Sequence, residues 1–287
     1  MTKQIYGIIG HPVKHSLSPA MHNAAFRELG IDAEYLLYDV EPEKLEAFLG
    51  DMARANISGL NVTIPHKIRA REYLERKGSL DNNAKKLGAV NTIKIDGPAL
   101  SGFNTDGPGF YRSLVEDLKF EPEGKSVFVL GAGGAAKAIV MYLGNGTKNI
   151  SVFDIDKEKT GELKEHYKKY FDEKKLSILA DDAQLKDALA ASDLLVNATP
   201  IGMKETDPSP VDKEFLKAGM YVYDLVYNRP LTQLVKDANA RKAHAVTGLG
   251  MLLYQGAISF EIWTGSKAPV AVMKKALKEA LKSSGNG

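Results

Sequence analysis

The run Ser126-Val127-Phe128-Val129-Leu130-Gly131-Ala132-Gly133-Gly134-Ala135-Ala136 decides the fold. Val127 to Leu130 are apolar and partly β-branched, the mark of a strand buried on both faces. They run without a spacer into a glycine-rich turn, and a helix-forming stretch follows. Gly131 permits the tight turn, Gly133 lets a pyrophosphate approach the backbone, and Ala136 stands where a third glycine would meet the sheet. The first-turn amides and dipole of the following helix stabilise an anion. Gly131, Ala132, Gly133, Gly134 and Ala135 are therefore candidate cofactor-binding residues. A string of this kind is weak evidence by itself; its position between strand and helix favours a dinucleotide site over an ordinary glycine-rich turn.

Downstream, the next predicted strand, Ile150–Asp154, ends on an acidic residue 23 positions beyond Gly131. A carboxylate there can accept hydrogen bonds from an adenosine ribose and repels a 2′-phosphate. No arginine occurs in Asp154-Ile155-Asp156-Lys157-Glu158-Lys159, although Lys157 and Lys159 would offset the repulsion if they folded back. The expected cofactor is NAD or NADP, with Asp154 leaning towards NAD. The plainer reading of Asp154 is a turn residue that closes a strand.

Further outward the same alternation continues. Strands are predicted at Leu176–Leu179, Leu194–Asn197, Tyr221–Leu225 and Ala245–Thr247, with helices between, which makes six in a nucleotide-binding array. Upstream, strands Gln4–Gly10, Glu34–Val40, Gly59–Ile64 and Ala89–Ile95 alternate with helices Pro19–Leu29, Glu43–Arg54 and Lys67–Leu74. A helix near Gly107–Asp117 and the polar stretch Lys119–Lys125 separate the two arrays. The fold class is α/β: an N-terminal substrate-binding domain with a mainly parallel sheet over residues 1–106, and a C-terminal Rossmann-like NAD(P)-binding domain over residues 107–251, with a cleft between them. The helices near Leu252–Trp263 and Val270–Leu281 either cap the second sheet or return to the first; periodicity leaves both open. The tail Ser283–Gly287 reads as disordered.

Composition narrows the chemistry. The 287 residues include no cysteine, which excludes disulfides, thiolate metal sites and a thiol nucleophile. A net charge of +2 creates no field that would gather nucleic acid. The apolar run Ile5–Ile9 is too short for a signal peptide core or a membrane span, so a cytoplasmic enzyme is expected. His11 and His15 have a metal-ligand spacing, but Pro12 intervenes and no third ligand is evident, so no metal is expected. No Ser-His-Asp order with an oxyanion turn is present, which leaves hydrolysis unsupported. In the first array polar residues gather where strands end: Ser16 and Ser18, then Asn61, Thr63 and Lys67, then Asn91, then Asn104-Thr105-Asp106. Hydroxyl and amide donors with one cation suit a small polyol acid, and reduction of a ketone needs a proton donor beside the carbonyl oxygen.

Ser16-Leu17-Ser18-Pro19 with Met21-His22-Asn23, Asn61-Val62-Thr63-Ile64-Pro65-His66-Lys67, Gly88-Ala89-Val90-Asn91-Thr92, Asn104-Thr105-Asp106-Gly107, the Gly131–Ala135 turn, Asn197-Ala198-Thr199-Pro200 with Gly202-Met203, and Gly248-Leu249-Gly250-Met251 follow one another in the order of the shikimate dehydrogenases. The chain resembles that family over nearly its whole length. The resemblance implies NAD(P)H-dependent reversible reduction of 3-dehydroshikimate to shikimate in aromatic amino-acid biosynthesis. It implies that Lys67 is the acid–base lysine and Asp106 its paired carboxylate. Ser16 and Ser18 match serines that bind the substrate carboxylate, while Thr63, Asn91, Tyr227 and Gln255 match other substrate contacts, with Asn61 a weaker one. Thr199, Leu225, Gly248 and Met251 match positions lining the nicotinamide pocket. The plainer readings are a helix-opening lysine for Lys67, N-caps for Asp106 and Ser18, and core packing for Tyr227 and Met251. The family commonly carries Asn-Arg-Thr where this chain has Asp154-Ile155-Asp156, which puts the cofactor phosphate in question. A quinate or quinate/shikimate dehydrogenase with NAD preference is the nearest alternative, and both serines argue against it. A non-catalytic nucleotide-sensing homologue is the other; the presence of Lys67 and Asp106 argues against that. The partner is a small molecule, with monomer and homodimer equally open.

Overall fold

The computed structural model describes residues 3–52 and 55–284. It divides into two compact units, Met1–Thr105 with Leu253–Gly287, and Asp106–Leu252.

The first unit contains β1 (Gln4–Gly10), α1 (Ser18–Glu28), β2 (Ala33–Asp39), α2 (Leu45–Asp51), β3 (Ile57–Val62), α3 (Lys67–Lys77), β4 (Ser79–Leu80), α4 (Asn82–Leu87), β5 (Thr92–Asp96) and β6 (Ala99–Phe103). The sheet order is β2-β1-β3-β5-β6-β4. β1 pairs in parallel with β2 and β3, while β5 runs antiparallel to both β3 and β6. One face is filled by Ile9, Leu45, Leu49, Leu60, Leu74 and Ile93 under α2 and α3. Each large apolar side chain so buried contributes roughly 1.5–3 kcal/mol.

The other face is aromatic, and it settles where the C-terminal helices go. Tyr6 stacks on Phe26 at 5.1 Å and meets Trp263 at 5.2 Å, and the Trp263 indole N–H donates to the Ile93 carbonyl at 2.9 Å. Trp263 lies on α10 (Leu249–Thr264), and α11 (Val270–Ser284) packs against α1. The helices from Leu253 onward therefore return to the first sheet. A Trp needs both a large apolar contact and an acceptor for its N–H; Tyr6 and Tyr35 supply the first and the Ile93 carbonyl of the inner strand β5 the second.

The second unit contains α5 (Asp106–Glu116), β7 (Ser126–Leu130), α6 (Gly134–Leu143), β8 (Asn149–Phe153), α7 (Lys157–Tyr167), β9 (Leu176–Ile178), α8 (Leu185–Ala190), β10 (Leu194–Asn197), β11 (Tyr221–Asp224), α9 (Gln233–Ala240) and β12 (His244–Thr247). All six strands are parallel, in the order β12-β11-β10-β7-β8-β9. Read from β9, this is the doubly wound nucleotide-binding order, whose switch point falls between β7 and β10.

Several boundaries differ from the sequence reading. The predicted helix Glu43–Arg54 divides into a 3-10 turn at Pro42–Lys44 and the shorter α2, and its Arg54 end lies outside the described residues. Pro42 presets the tight turn, and α2 starts only after it. The predicted strand Ala89–Ile95 begins at Thr92, because α4 ends at Gly88 in a left-handed conformation, φ 67°. The β5–β6 hairpin was not anticipated: its second strand, Ala-Leu-Ser-Gly-Phe, has weak alternation and little β-branching. Ser283 and Ser284 end α11 rather than open a disordered tail, and residues 285–287 lie outside the described residues.

His22 is the one histidine of α1, and its ring is fully enclosed. It lies flat against Tyr35, centroids 4.3 Å apart and planes 5° from parallel, with Trp263 at 5.3 Å. Neither ring nitrogen has a hydrogen-bond partner, and burial pushes the imidazole pKa down to about 3. The folded state therefore holds a neutral ring that the unfolded chain protonates below about 6.5. Its contribution is complete above that pH and falls with acidification, by about 2 kcal/mol between pH 6.5 and 5. Chemical denaturation of the wild type and His22→Leu across that range should show this one-proton slope in the wild type and its loss in the variant; equal slopes would remove His22 as the cause.

Candidate active site

In the first unit the candidate residues lie at the carboxyl ends of β1 and β3 and around the entry to β5. Lys67 is the first residue of α3, half-buried, and its carbonyl accepts the Val90 N–H at 3.0 Å. The preceding His66 is fully buried and donates from Nε2 to the Val40 carbonyl at 2.6 Å; burial lowers its pKa, so the ring stays neutral. The start of α3 is thereby tied to both the end of β2 and the approach to β5, which fixes where the lysine stem emerges.

Asn91 is the hub of the strand ends. Its Oδ1 accepts the Thr105 N–H at 2.8 Å and the Thr92 hydroxyl at 3.0 Å, and its amide donates to Thr105 Oγ1 at 2.9 Å. Asn61 sits beside it, with its amide at 3.0–3.2 Å from the Asn91 carbonyl, Thr92 Oγ1 and Ser259 Oγ, while its Oδ1 accepts from the Tyr35 hydroxyl at 2.7 Å. The Ser259 hydroxyl donates to the Gln255 carbonyl at 2.9 Å. Every polar atom of Asn61 is thus engaged inside the unit, which marks it as a brace for its neighbours.

Ser16 and Ser18 belong to the turn between β1 and α1. The Ser18 N–H donates to Ser16 Oγ at 3.3 Å, and the Ser18 hydroxyl reaches Tyr35. Leu17, not Ser18, is the cap residue of α1, and no side chain caps it, so the capping alternative for Ser18 does not hold. Thr63 is half-buried one residue beyond β3, and Gln255 is half-buried on α10.

In the second unit the glycine turn leaves β7 at the switch point. Gly131 has φ 98°, and a Cβ there would press on the Ala198 backbone 3.0 Å away, so only glycine fits. Around Gly133 and Gly134 a Cβ would meet nothing within 4 Å, and no side chain caps α6. This is an open cradle of backbone amides at a helix start, and it fits a pyrophosphate. Ala135 is exposed on the first turn, while the Ala132 N–H is held by Asp154 Oδ2 at 2.7 Å.

The loops after β10 and β11 are locked together by a buried carboxylate that sequence reasoning missed. Asp224 accepts from the Asn197 amide at 2.9 Å, the Val226 N–H at 3.2 Å and the Thr232 hydroxyl at 2.6 Å. Burial pushes its carboxyl pKa up, and the three donors oppose that. Asn197 Oδ1 in turn accepts from the Thr199 hydroxyl at 2.7 Å. Thr199 and Leu225 thereby gain fixed loops, and Tyr227 projects beyond them, 37% exposed. Gly248 lies against the Leu225 carbonyl where no Cβ fits, and the Met251 N–H donates to the Tyr223 hydroxyl at 3.1 Å. An Asp at a strand end, three residues before the aromatic Tyr227, was the available signal. Asp106 is buried in the first turn of α5, where a carboxylate interacts favourably with the helix dipole.

The family described as "Shikimate dehydrogenase substrate binding domain" matches residues 8–93, and that described as "Shikimate 5'-dehydrogenase C-terminal domain" matches residues 248–278. The chain is 45% identical over 281 residues to a shikimate dehydrogenase (NADP(+)) of Methanopyrus kandleri, covering 97% of this chain and 96% of the relative. It is 40% identical over 285 residues to the Moorella thermoacetica protein of the same name, covering 99% and 95%. The crystal structure of a Listeria monocytogenes shikimate 5-dehydrogenase with shikimate and NAD superposes with a TM-score of 0.88 at 35% identity, covering 96% of each chain.

The brace around Asn61 makes a direct prediction. Asn61→Ala strips partners from the Tyr35 hydroxyl and Ser259 in a dry interior, and should lower unfolding free energy by about 2–3 kcal/mol. Urea denaturation of the variant would measure it, and an unchanged midpoint would show that the network does not depend on Asn61.

Proposed function

The chain belongs to the shikimate dehydrogenase family, and on that premise we propose that it is an NAD(P)-dependent oxidoreductase that interconverts 3-dehydroshikimate and shikimate in aromatic amino-acid biosynthesis, with Lys67 and Asp106 as its catalytic residues. The observation that carries this reading is the anchoring of Lys67 at the carboxyl end of β3, next to the Asn91–Thr105 hub. A half-buried cation stands there beside hydroxyl and amide groups, the chemistry a small polyhydroxylated acid requires.

A bound nicotinamide supplies the hydride in reduction and accepts it in oxidation. Reduction turns a ketone oxygen into an alkoxide, and the Lys67 ammonium donates the proton that quenches it. In oxidation the neutral amine takes the hydroxyl proton. Asp106 follows Thr105 directly in the chain and opens α5. Ser16 and Ser18 are assigned to the substrate carboxylate together with Tyr227 and Gln255, and Thr63 and Asn91 to ring hydroxyls. Asn91 is held for this task by the amide hydrogen it sends to Thr105 Oγ1. Asn61 serves this set as a brace. The glycine turn, Gly131 to Ala135, holds the cofactor phosphates, Asp154 faces the adenosine ribose, and Thr199, Leu225, Gly248 and Met251 line the nicotinamide ring. No described helix is long and apolar enough to cross a membrane, and a chain without cysteine suits the reducing cytoplasm, where we place it.

Lys67→Ala should lower kcat in both directions by at least ~100-fold with an unchanged melting temperature. Near-normal turnover would take Lys67 out of the mechanism. Initial rates with shikimate and quinate should favour shikimate at least ~10-fold in kcat/KM, because a site built around paired polar groups discriminates strongly between hydroxylation patterns; equal values would make the enzyme a quinate/shikimate dehydrogenase.

A further inference from the structure

Asp224 has no surface of its own: it is 0% exposed, as are Asn197 and Thr232 beside it. Its Oδ1 accepts the Asn197 amide at 2.9 Å and the Val226 N–H at 3.2 Å, and its Oδ2 accepts the Thr232 hydroxyl at 2.6 Å. The donors come from three segments: the end of β10, the loop after β11 and the cap of α9. A carboxylate accepts in all three directions, whereas an amide of the same shape has to turn an N–H towards one of the donors.

Three of the four candidate nicotinamide residues hang on this point. Asn197 Oδ1 accepts the Thr199 N–H at 3.1 Å and the Thr199 hydroxyl at 2.7 Å, so the Thr199 turn follows an amide whose orientation Asp224 fixes. Leu225 stands inside the turn that the Asp224–Val226 bond closes. Gly248 donates its N–H to the Val226 carbonyl at 3.1 Å and lies against the Leu225 carbonyl, where no Cβ fits. The phosphate side is held by other bonds. The Ala198 N–H donates to the Leu130 carbonyl at 2.8 Å, so the part of the β10 loop that meets Gly131 belongs to the sheet ladder, and the glycine turn is tied to the end of β8 through Asp154.

We propose that Asp224 is a positioning residue for the nicotinamide half of the cofactor: without touching the ring, this carboxylate sets the seats of Thr199, Leu225 and Gly248 and leaves the phosphate half to the other side of the sheet. The proposal rests on the dehydrogenase reading above and adds a residue to its hydride-transfer step. Such a step is sensitive to small displacements, since a shift of about 1 Å in a reacting group can cost ~100-fold in rate.

Two measurements on the full chain separate this role from general support of the fold. One is steady-state oxidation of shikimate with NAD+ and with NADP+. The other is calorimetric titration with ADP-ribose and its 2′-phosphate, which keep every part of the cofactor except the nicotinamide. Asp224→Asn should lower kcat by ~10–100-fold. The deuterium isotope effect on kcat, with shikimate labelled at the carbon that yields the hydride, should be at least as large as in the wild type, because hydride transfer is the step that slows. Affinity for the fragment that the wild type binds should stay within about twofold, since its seat shares no partner with Asp224. Thr232→Val removes one donor and should show the same pattern on a smaller scale; Thr232→Ser keeps the hydroxyl and should recover most of the lost turnover. A kcat within about twofold of wild type in Asp224→Asn, or in Thr232→Val where Asp224→Asn does not fold, overturns the inference. A smaller isotope effect overturns it too, as does a loss of fragment affinity in step with turnover, which would make Asp224 a brace of the whole unit. A wild type that neither binds nor turns over either dinucleotide would bring down the dehydrogenase reading itself.

Discussion

The first unit depends on one physical requirement: the buried amides and hydroxyls at the ends of its strands must be paired with one another. Asn61, Asn91, Thr92, Thr105 and Ser259 are all nearly inaccessible to solvent, and each satisfies its neighbour. An unpaired amide in such a place costs roughly 1–3 kcal/mol, so the set is stable only when complete. Its completeness requires β3, β5, the segment after β6 and α10 to stand in a single register. Lys67 opens the helix after β3, Asn91 precedes β5, Thr105 follows β6 and Gln255 lies on α10. The arrangement that satisfies the interior therefore also sets the positions of the candidate substrate residues.

The second unit uses a different device. Its strands are all parallel and apolar along their middles, and the polar side chains they carry pair near the strand ends, Ser126 with Asn149 and Asn197 with Asp224. Loop geometry is fixed at the carboxyl ends by two carboxylates, Asp154 and Asp224, each taking donors from two or more segments. Asp154 joins β8 to the glycine turn after β7. Asp224 joins the β10 loop to the β11 loop and the Thr232 cap of α9. Each carboxylate joins the loops of neighbouring strands, and together they flank the switch point on both sides.

The legible part of this design was the part written in local patterns. The second array, from Val127-Phe128-Val129-Leu130 to Ala245-Val246-Thr247, could be read because parallel buried strands are continuous apolar runs and glycine at a strand-to-helix turn has few other uses. The family motifs made the candidate residues of the first unit visible as a group. What stayed hidden depends on distance in the chain. The return of α10 to the first sheet rests on Trp263 meeting Ile93, 170 residues away in sequence. The bracing task of Asn61 rests on Ser259, 198 residues away. No window of sequence contains either pair. The β5–β6 hairpin was missed for the opposite reason, since its second strand is held by pairing with β5 and has little propensity of its own.

The same contrast separates residues that touch ligands from residues that hold them. A motif records residue type and order, and both classes appear in it alike: Asn61 and Lys67 share one motif, Asn197 and Thr199 another. Hydrogen-bond occupancy separates them. Asn61 and Asn197 have both ends of their amides committed to the protein, so neither could take up a ligand without breaking a buried pair. Asp154 falls between the two classes, because a carboxylate has more acceptor sites than the two amides occupy. Its position is nonetheless fixed, because it can turn aside only by releasing the Ala132 amide of the glycine turn and the Asp156 amide.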